Sequence, residues 1–166
     1  INDFLYINEA NIGANKVNAY ISREVTYEAM LEQGRVASKA KLRLTNTSHI
    51  DGYKVYIKFA VPKGSILKEI SINGVKQQTT SAVTDFRIYE ARNFKKSEKL
   101  EVEQYTKDNF TYFAFVTEVL KAEKADIEIT YDNGVSKPLS TIVDYSLLYI
   151  KQPGTKPYQV TTVVDY

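Results

Sequence analysis

Few residues in this chain have side chains suited to bond-breaking chemistry. His49 is the single histidine and there is no cysteine. Thiol catalysis, cysteine-based zinc sites, iron–sulfur clusters and disulfides are therefore excluded. His49 lies two residues before Asp51 in a run of Asn, Thr, Ser, Asp and Gly. A His–Asp unit of this kind does general-base work only beside a placed nucleophile, so the expectation is an exposed loop histidine. Carboxylate pairs that could act on a glycosidic bond are Glu24 with Glu28, Glu101 with Glu103, and Asp126 with Glu128. Each pair has the even spacing of the water-facing side of a strand, which is the simpler explanation. Asp132-Asn133-Gly134, Asp108-Asn109 and Asp51-Gly52 carry oxygen ligands but fit no calcium-loop spacing and read as turns. Gly13 in Asn11-Ile12-Gly13-Ala14-Asn15-Lys16 lacks the second glycine and the Gly-Lys-Ser/Thr ending of a phosphate loop. No residue is assigned a catalytic, cofactor-binding or metal-binding role on this basis, and no cofactor is expected.

Charge is balanced, with 22 Lys and Arg against 20 Asp and Glu. That argues against a nucleic-acid binder, whose footprint is a concentrated basic surface. The densest basic cluster is Arg92, Lys95, Lys96 and Lys99, but Glu90, Glu98 and Glu101 are interleaved, so it reads as a solvated loop. Tyrosine is abundant, at 13 residues. Tyr53, Tyr56, Tyr105, Tyr112, Tyr131, Tyr145 and Tyr149 could line a sugar-stacking face or a protein interface. Most fall on alternating positions, which favours core and sheet-surface packing.

The elements that must position these groups are strands. Over 17–31, Val17, Ala19, Ile21, Val25, Tyr27, Ala29 and Leu31 share one face, with Arg23 the one polar break. Gln33-Gly34 supplies a turn, and Val36, Ala40, Leu42 and Leu44 resume the alternation, giving a long hairpin. Further strands are predicted over 53–61, 66–72, 83–89, 100–105, 110–120, 125–131, 142–150 and 158–164. Pro62-Lys63-Gly64-Ser65, Asn73-Gly74 and Asp132-Asn133-Gly134 mark the turns. The segment 110–120 is apolar on both faces, which places it centrally. Short helical turns are expected at 8–16 and 120–124. The regular spacing predicts an all-β, antiparallel two-sheet sandwich, immunoglobulin-like or related, of about ten strands. Without repeats or linkers, 1–166 is read as one domain, with 1–16 an N-terminal extension or the first strand.

Four segments carry a family resemblance: Phe4 to Lys16, the long strand Tyr20–Tyr27, the strand 53–61 with its Pro62-Lys63-Gly64-Ser65 turn, and Lys151-Gln152-Pro153-Gly154-Thr155. In this order they resemble the C-terminal region of a bacterial membrane-anchored family, domain of unknown function four-zero-one-two. The resemblance is scattered over most of the chain and weakest over 76–109. It implies a parent protein held by an N-terminal transmembrane helix, with this domain outside the cytoplasm. It also implies a suggestive association with cell-surface polysaccharide systems, and it carries no catalytic residues.

No apolar run here approaches the ~18 residues of a membrane span. The start, Ile1-Asn2-Asp3, lacks a basic and apolar leader, so a mature product or excised piece is expected. The function expected is that of a non-enzymatic extracytoplasmic module of a bacterial cell-surface protein, for adhesion, assembly or spacing. Its partner would be a protein or a glycan, and its membrane contact would come only through the parent's anchor. The loops 46–52, 92–99 and 151–157 are the first candidates for contact. A carbohydrate-binding or carbohydrate-active domain is the alternative. A deep cleft gathering carboxylates would count against the first reading and for the second.

Overall fold

The computed structural model describes residues 1–32, 35–135 and 144–166. Sheet A contains β1 (Asn2–Asn11), β4 (Tyr53–Pro62), β7 (Thr79–Ser81), β8 (Leu100–Lys107), β9 (Phe110–Val119) and β11 (Ser146–Ile150). Sheet B contains β2 (Ile21–Glu32), β3 (Arg35–Asn46), β5 (Ile66–Ile72), β6 (Val75–Lys76), β10 (Lys124–Asp132) and β12 (Gln159–Asp165). The spatial orders are β11-β1-β4-β9-β8-β7 and β12-β2-β3-β10-β5-β6. The chain is thus β-rich and two-layered, as the alternation predicts.

Two parts of the sequence expectation are corrected. The described residues form twelve strands, not about ten: β1 is a full strand and β6 and β7 are short pieces in what reads as a polar stretch, while the strand expected over 83–89 is absent. The sheets are mixed, not antiparallel: β1 with β11, β2 with β12, and β7 with β8 run parallel. Alternation reports which face a residue takes, and both strand directions share it, so direction was not in the pattern.

Parallel neighbours need a crossover of a dozen or more residues, usually with a helix. Between β7 and β8 that crossover is 82–99, and it holds α1 (Phe86–Ala91) where a strand over 83–89 was expected. Asp85 caps α1, its carboxylate accepting from the Arg87 backbone N–H at 3.0 Å. At the other end Asn93 and Phe94 donate back to the carbonyls of Glu90 and Tyr89, a Schellman closure with Asn93 left-handed at φ 52°. The short helices expected at 8–16 and 120–124 do not form. Strand β1 runs on to Asn11, a 3₁₀ turn follows at Val17–Tyr20, and the second segment is a turn with Ala122 at φ 56°. The Gln33-Gly34 turn and the start of the strand expected at 142–150 lie outside the described residues.

The inner faces meet in one core. Leu5, Ile57, Phe59, Phe113 and Phe115 from sheet A oppose Tyr27, Leu42, Leu44, Ile127, Ile129 and Tyr131 from sheet B. Rings cross the gap, with Phe113 and Tyr131 centroids 6.1 Å apart. Strand β9 occupies the interior of sheet A, between β4 and β8, as its two-sided apolar character requires.

Two polar groups are built into this core. Arg23, the polar break in its strand, forms a two-pronged ion pair with Glu9, Nε to Oε1 at 2.7 Å and Nη2 to Oε2 at 3.1 Å. Tyr53 donates to the same carboxylate. The Asp3 carboxylate accepts from Tyr27, Tyr145 and Asn133. Burial, then the charge of the neighbouring carboxylate, pushes the Tyr27 and Tyr53 phenols up, so both stay protonated donors.

Candidate functional site

The sequence candidates separate in space. His49 is exposed in a loop tied by Asn46 and Ser48, whose side chains bond Asp51, Val119 and backbone amides of the loop. Glu24 and Glu28 lie in surface ion pairs with Arg43 and Lys39, at 3.9 and 3.4 Å. Asp126 is clasped by Arg43 at 2.6 and 2.8 Å and by Lys41 at 3.1 Å. Asp132 pairs with Lys68, while Asn133 turns inward to Asp3. Asp108 closes the β8–β9 turn with φ 54°. Gly13 belongs to a turn in which the Asn11 side chain accepts its N–H at 2.9 Å. Among the described residues no group of three or more His, Cys, Asp or Glu side chains could hold a metal.

The tyrosines divide three ways. Tyr53 and Tyr131 are core residues, and Tyr145 and Tyr149 are partly buried, Tyr145 on Asp3 and Tyr149 on the Tyr158 hydroxyl. Tyr56, Tyr105 and Tyr112 lie on the outer face of sheet A. Tyr105 and Tyr112 stack on each other at 4.8 Å and 16°, and the Lys58 ammonium sits 5.7–5.8 Å from the three rings. Stacked in this way, Tyr105 and Tyr112 each cover one face of the other's ring. This is cross-strand packing with a cation–π contact.

One carboxylate pair is brought into a cavity. The β7–β8 crossover arches over the outer face of sheet A, where Ala114 of β9 stands opposite Glu103 in the ladder. This small side chain leaves depth, and the half-open space is about 630 Å³. That is within the range of small-molecule sites, roughly 300–1,000 Å³. Val83, Tyr89 and Phe94 from the crossover provide apolar wall. Phe94 is held at φ 57°, uncommon for a bulky side chain, and is 69% exposed.

Glu101 and Glu103 rise from β8 into this space, joined by Lys54, Lys96 and Lys99. Tyr89 donates to Glu101 Oε2 at 2.5 Å and Tyr56 to Glu103 Oε2 at 2.9 Å. The hydrogen bond to Glu101, with burial second, raises the Tyr89 hydroxyl; burial, with the Glu103 bond second, raises that of Tyr56. Both phenols are thus fixed as donors. The second oxygen of Glu101, Oε1, is buried and finds no donor among the described residues. None of the three lysines has a carboxylate within ion-pair distance among the described residues.

The cavity has no histidine, and its two carboxylates stand side by side on one strand. The sequence placed the 92–99 loop among the contact candidates, and Phe94, Lys96 and Lys99 of that loop line the cavity. It did not connect the loop to Glu101 and Glu103. The signal was the pairing of a helix cap at Asp85 with a closing Asn93, which marks a helix over a strand face. No family model matches the chain, and no curated protein matches it in sequence.

Proposed function

We propose that the protein is a non-enzymatic, extracytoplasmic β-sandwich module of a bacterial cell-surface protein, in an adhesion, assembly or spacing role. The immunoglobulin-like or related sandwich class suits such a module, since it offers end loops and crossovers for contact on a rigid frame. The observation that carries the reading is the rigid two-sheet frame, from which the 82–99 crossover projects over the outer face of sheet A. The cavity beneath that crossover gathers Glu101 and Glu103 and counts toward the second reading instead. The family resemblance supports the location, with a membrane anchor supplied by the parent protein.

The test is binding of the labelled domain to bacterial envelope preparations, beside assays with chromogenic glycosides and esters. Saturable retention on envelope material without turnover is expected. Turnover that disappears in Glu101→Gln would overturn the reading.

A carbohydrate-active domain is the second reading, and one observation favours it: Glu101 and Glu103 share a cavity. Alternate residues of a strand repeat at roughly 6.6–6.8 Å, near the ~6.5–9.5 Å separation of inverting carboxylate pairs. Against it, such pairs flank the scissile bond from opposite sides, whereas these stand on one wall, each already accepting a tyrosine proton.

A further inference from the structure

We infer that β12 is a self-association edge: two copies of the chain pair β12 to β12, antiparallel about a two-fold axis at Thr162, and join their B sheets into one. This pairing is independent of the module reading above.

A strand at the end of a sheet presents a row of unpaired backbone N–H and C=O groups. Proteins guard such rows with very short strands, Lys, Pro or bulges. The ends here are β11 and β7 of sheet A and β12 and β6 of sheet B. Strands β6 and β7 have two and three residues, too few to template a partner. Strand β11 has five, and Lys151 and Pro153 follow it directly. Strand β12 has none of these guards. Its seven residues, Gln-Val-Thr-Thr-Val-Val-Asp, include no Lys, Arg or Pro. Its parallel register with β2 runs from Gln159 to Asp165 without a bulge. Among the described residues no strand lies on its far side. It is exposed on both faces, with Val160 at 37% on one and Val163 at 41% on the other. The strand therefore overhangs the core, and sheet A does not close over its free edge.

The side chains decide which strand fits that edge. Antiparallel pairing about Thr162 sets Gln159 opposite Asp165, Val160 opposite Val164 and Thr161 opposite Val163, each pair occurring twice. Thr162 meets its own copy at the axis. An amide thus faces a carboxylate, valine faces valine, threonine faces threonine, and no like charges meet. A parallel copy in register would instead set Asp165 beside Asp165. A foreign strand would need this same neutral, β-branched pattern with a donor opposite Asp165. A second copy carries it already, and the two-fold pairing uses up both free edges and closes as a dimer.

The test is sedimentation velocity of the intact domain from roughly 1 μM to 1 mM, the range suited to a small interface. The sedimentation coefficient is expected to rise with concentration towards the dimer value. Thr161→Lys with Val163→Lys sets lysine opposite lysine twice and should weaken the dimer about tenfold or more. Both positions are exposed, and they neighbour Thr26 and Glu28 of β2, so the folded domain tolerates them, which its NMR spectrum checks. The chain has no cysteine, so single-cysteine variants report the contact directly. Thr162→Cys is expected to form a disulfide-linked dimer on air oxidation, and Leu148→Cys on β11 is not. A monomer at every concentration, a dimer indifferent to the two lysines, or cross-linking through Leu148→Cys in place of Thr162→Cys would overturn the pairing.

Discussion

Glu9 and Arg23 show how a single polar break in an apolar strand can be load-sharing. Their side chains are 4% and 7% exposed, and the ion pair is completed by Tyr53. Removing one member leaves the other charge buried, so Arg23→Ala should cost about 3–5 kcal/mol in urea unfolding. Replacing both with apolar residues of similar volume should cost much less, which a double-mutant cycle reads directly. Arg23 was visible in the sequence as the exception on its face. Its partner was not, because Glu9 is fourteen residues away on the other sheet.

Asp126 makes a pH prediction at the same scale. The Arg43 guanidinium hydrogen-bonds its carboxylate and lowers it to about 2. A carboxylate depressed in the folded state stabilises above its unfolded value, about 3.9, and that stabilisation is lost as pH falls through about 2. The urea midpoint should therefore drop between pH 4 and pH 2, and Asp126→Asn should flatten this segment of the profile.

At the scale of elements, the turns decide what lies where. A Cβ on Gly134 would sit 1.9 Å from the Lys63 carbonyl oxygen, so the 62–65 turn packs directly on the Gly134 backbone. Gly134→Ala must displace one of the two, with an expected loss of about 2–4 kcal/mol in thermal or urea unfolding. Asn73-Gly74 was readable as a tight turn, and both residues take left-handed φ, 53° and 76°. Helix α1 reads as a strand by side-chain preference, and only its end residues, Asp85 and Asn93, signal a helix. Its interior residues Phe86, Ile88 and Tyr89 favour strands, and the helix exists because β7 and β8 run parallel and must be joined over the top. Asp85→Ala should loosen that cap, seen as faster amide exchange over 86–94.

For the whole molecule, the alternation legible in the sequence accounts for two stacked sheets and for most carboxylates and tyrosines. It carries no information on strand direction, and the site depends on direction. A fully antiparallel arrangement would need no crossover at 82–99, and Glu101 and Glu103 would face open water, as their spacing alone suggested. The parallel β7–β8 pair converts that surface into a cavity. The account is tested most directly by NMR of the domain, following couplings across the β7–β8 hydrogen bonds. Bonds from the Leu100 N–H to the Gln78 carbonyl and from the Ala82 N–H to the Val102 carbonyl, the parallel pattern, are predicted. An antiparallel pattern, or no pairing between 79–81 and 100–102, would contradict it.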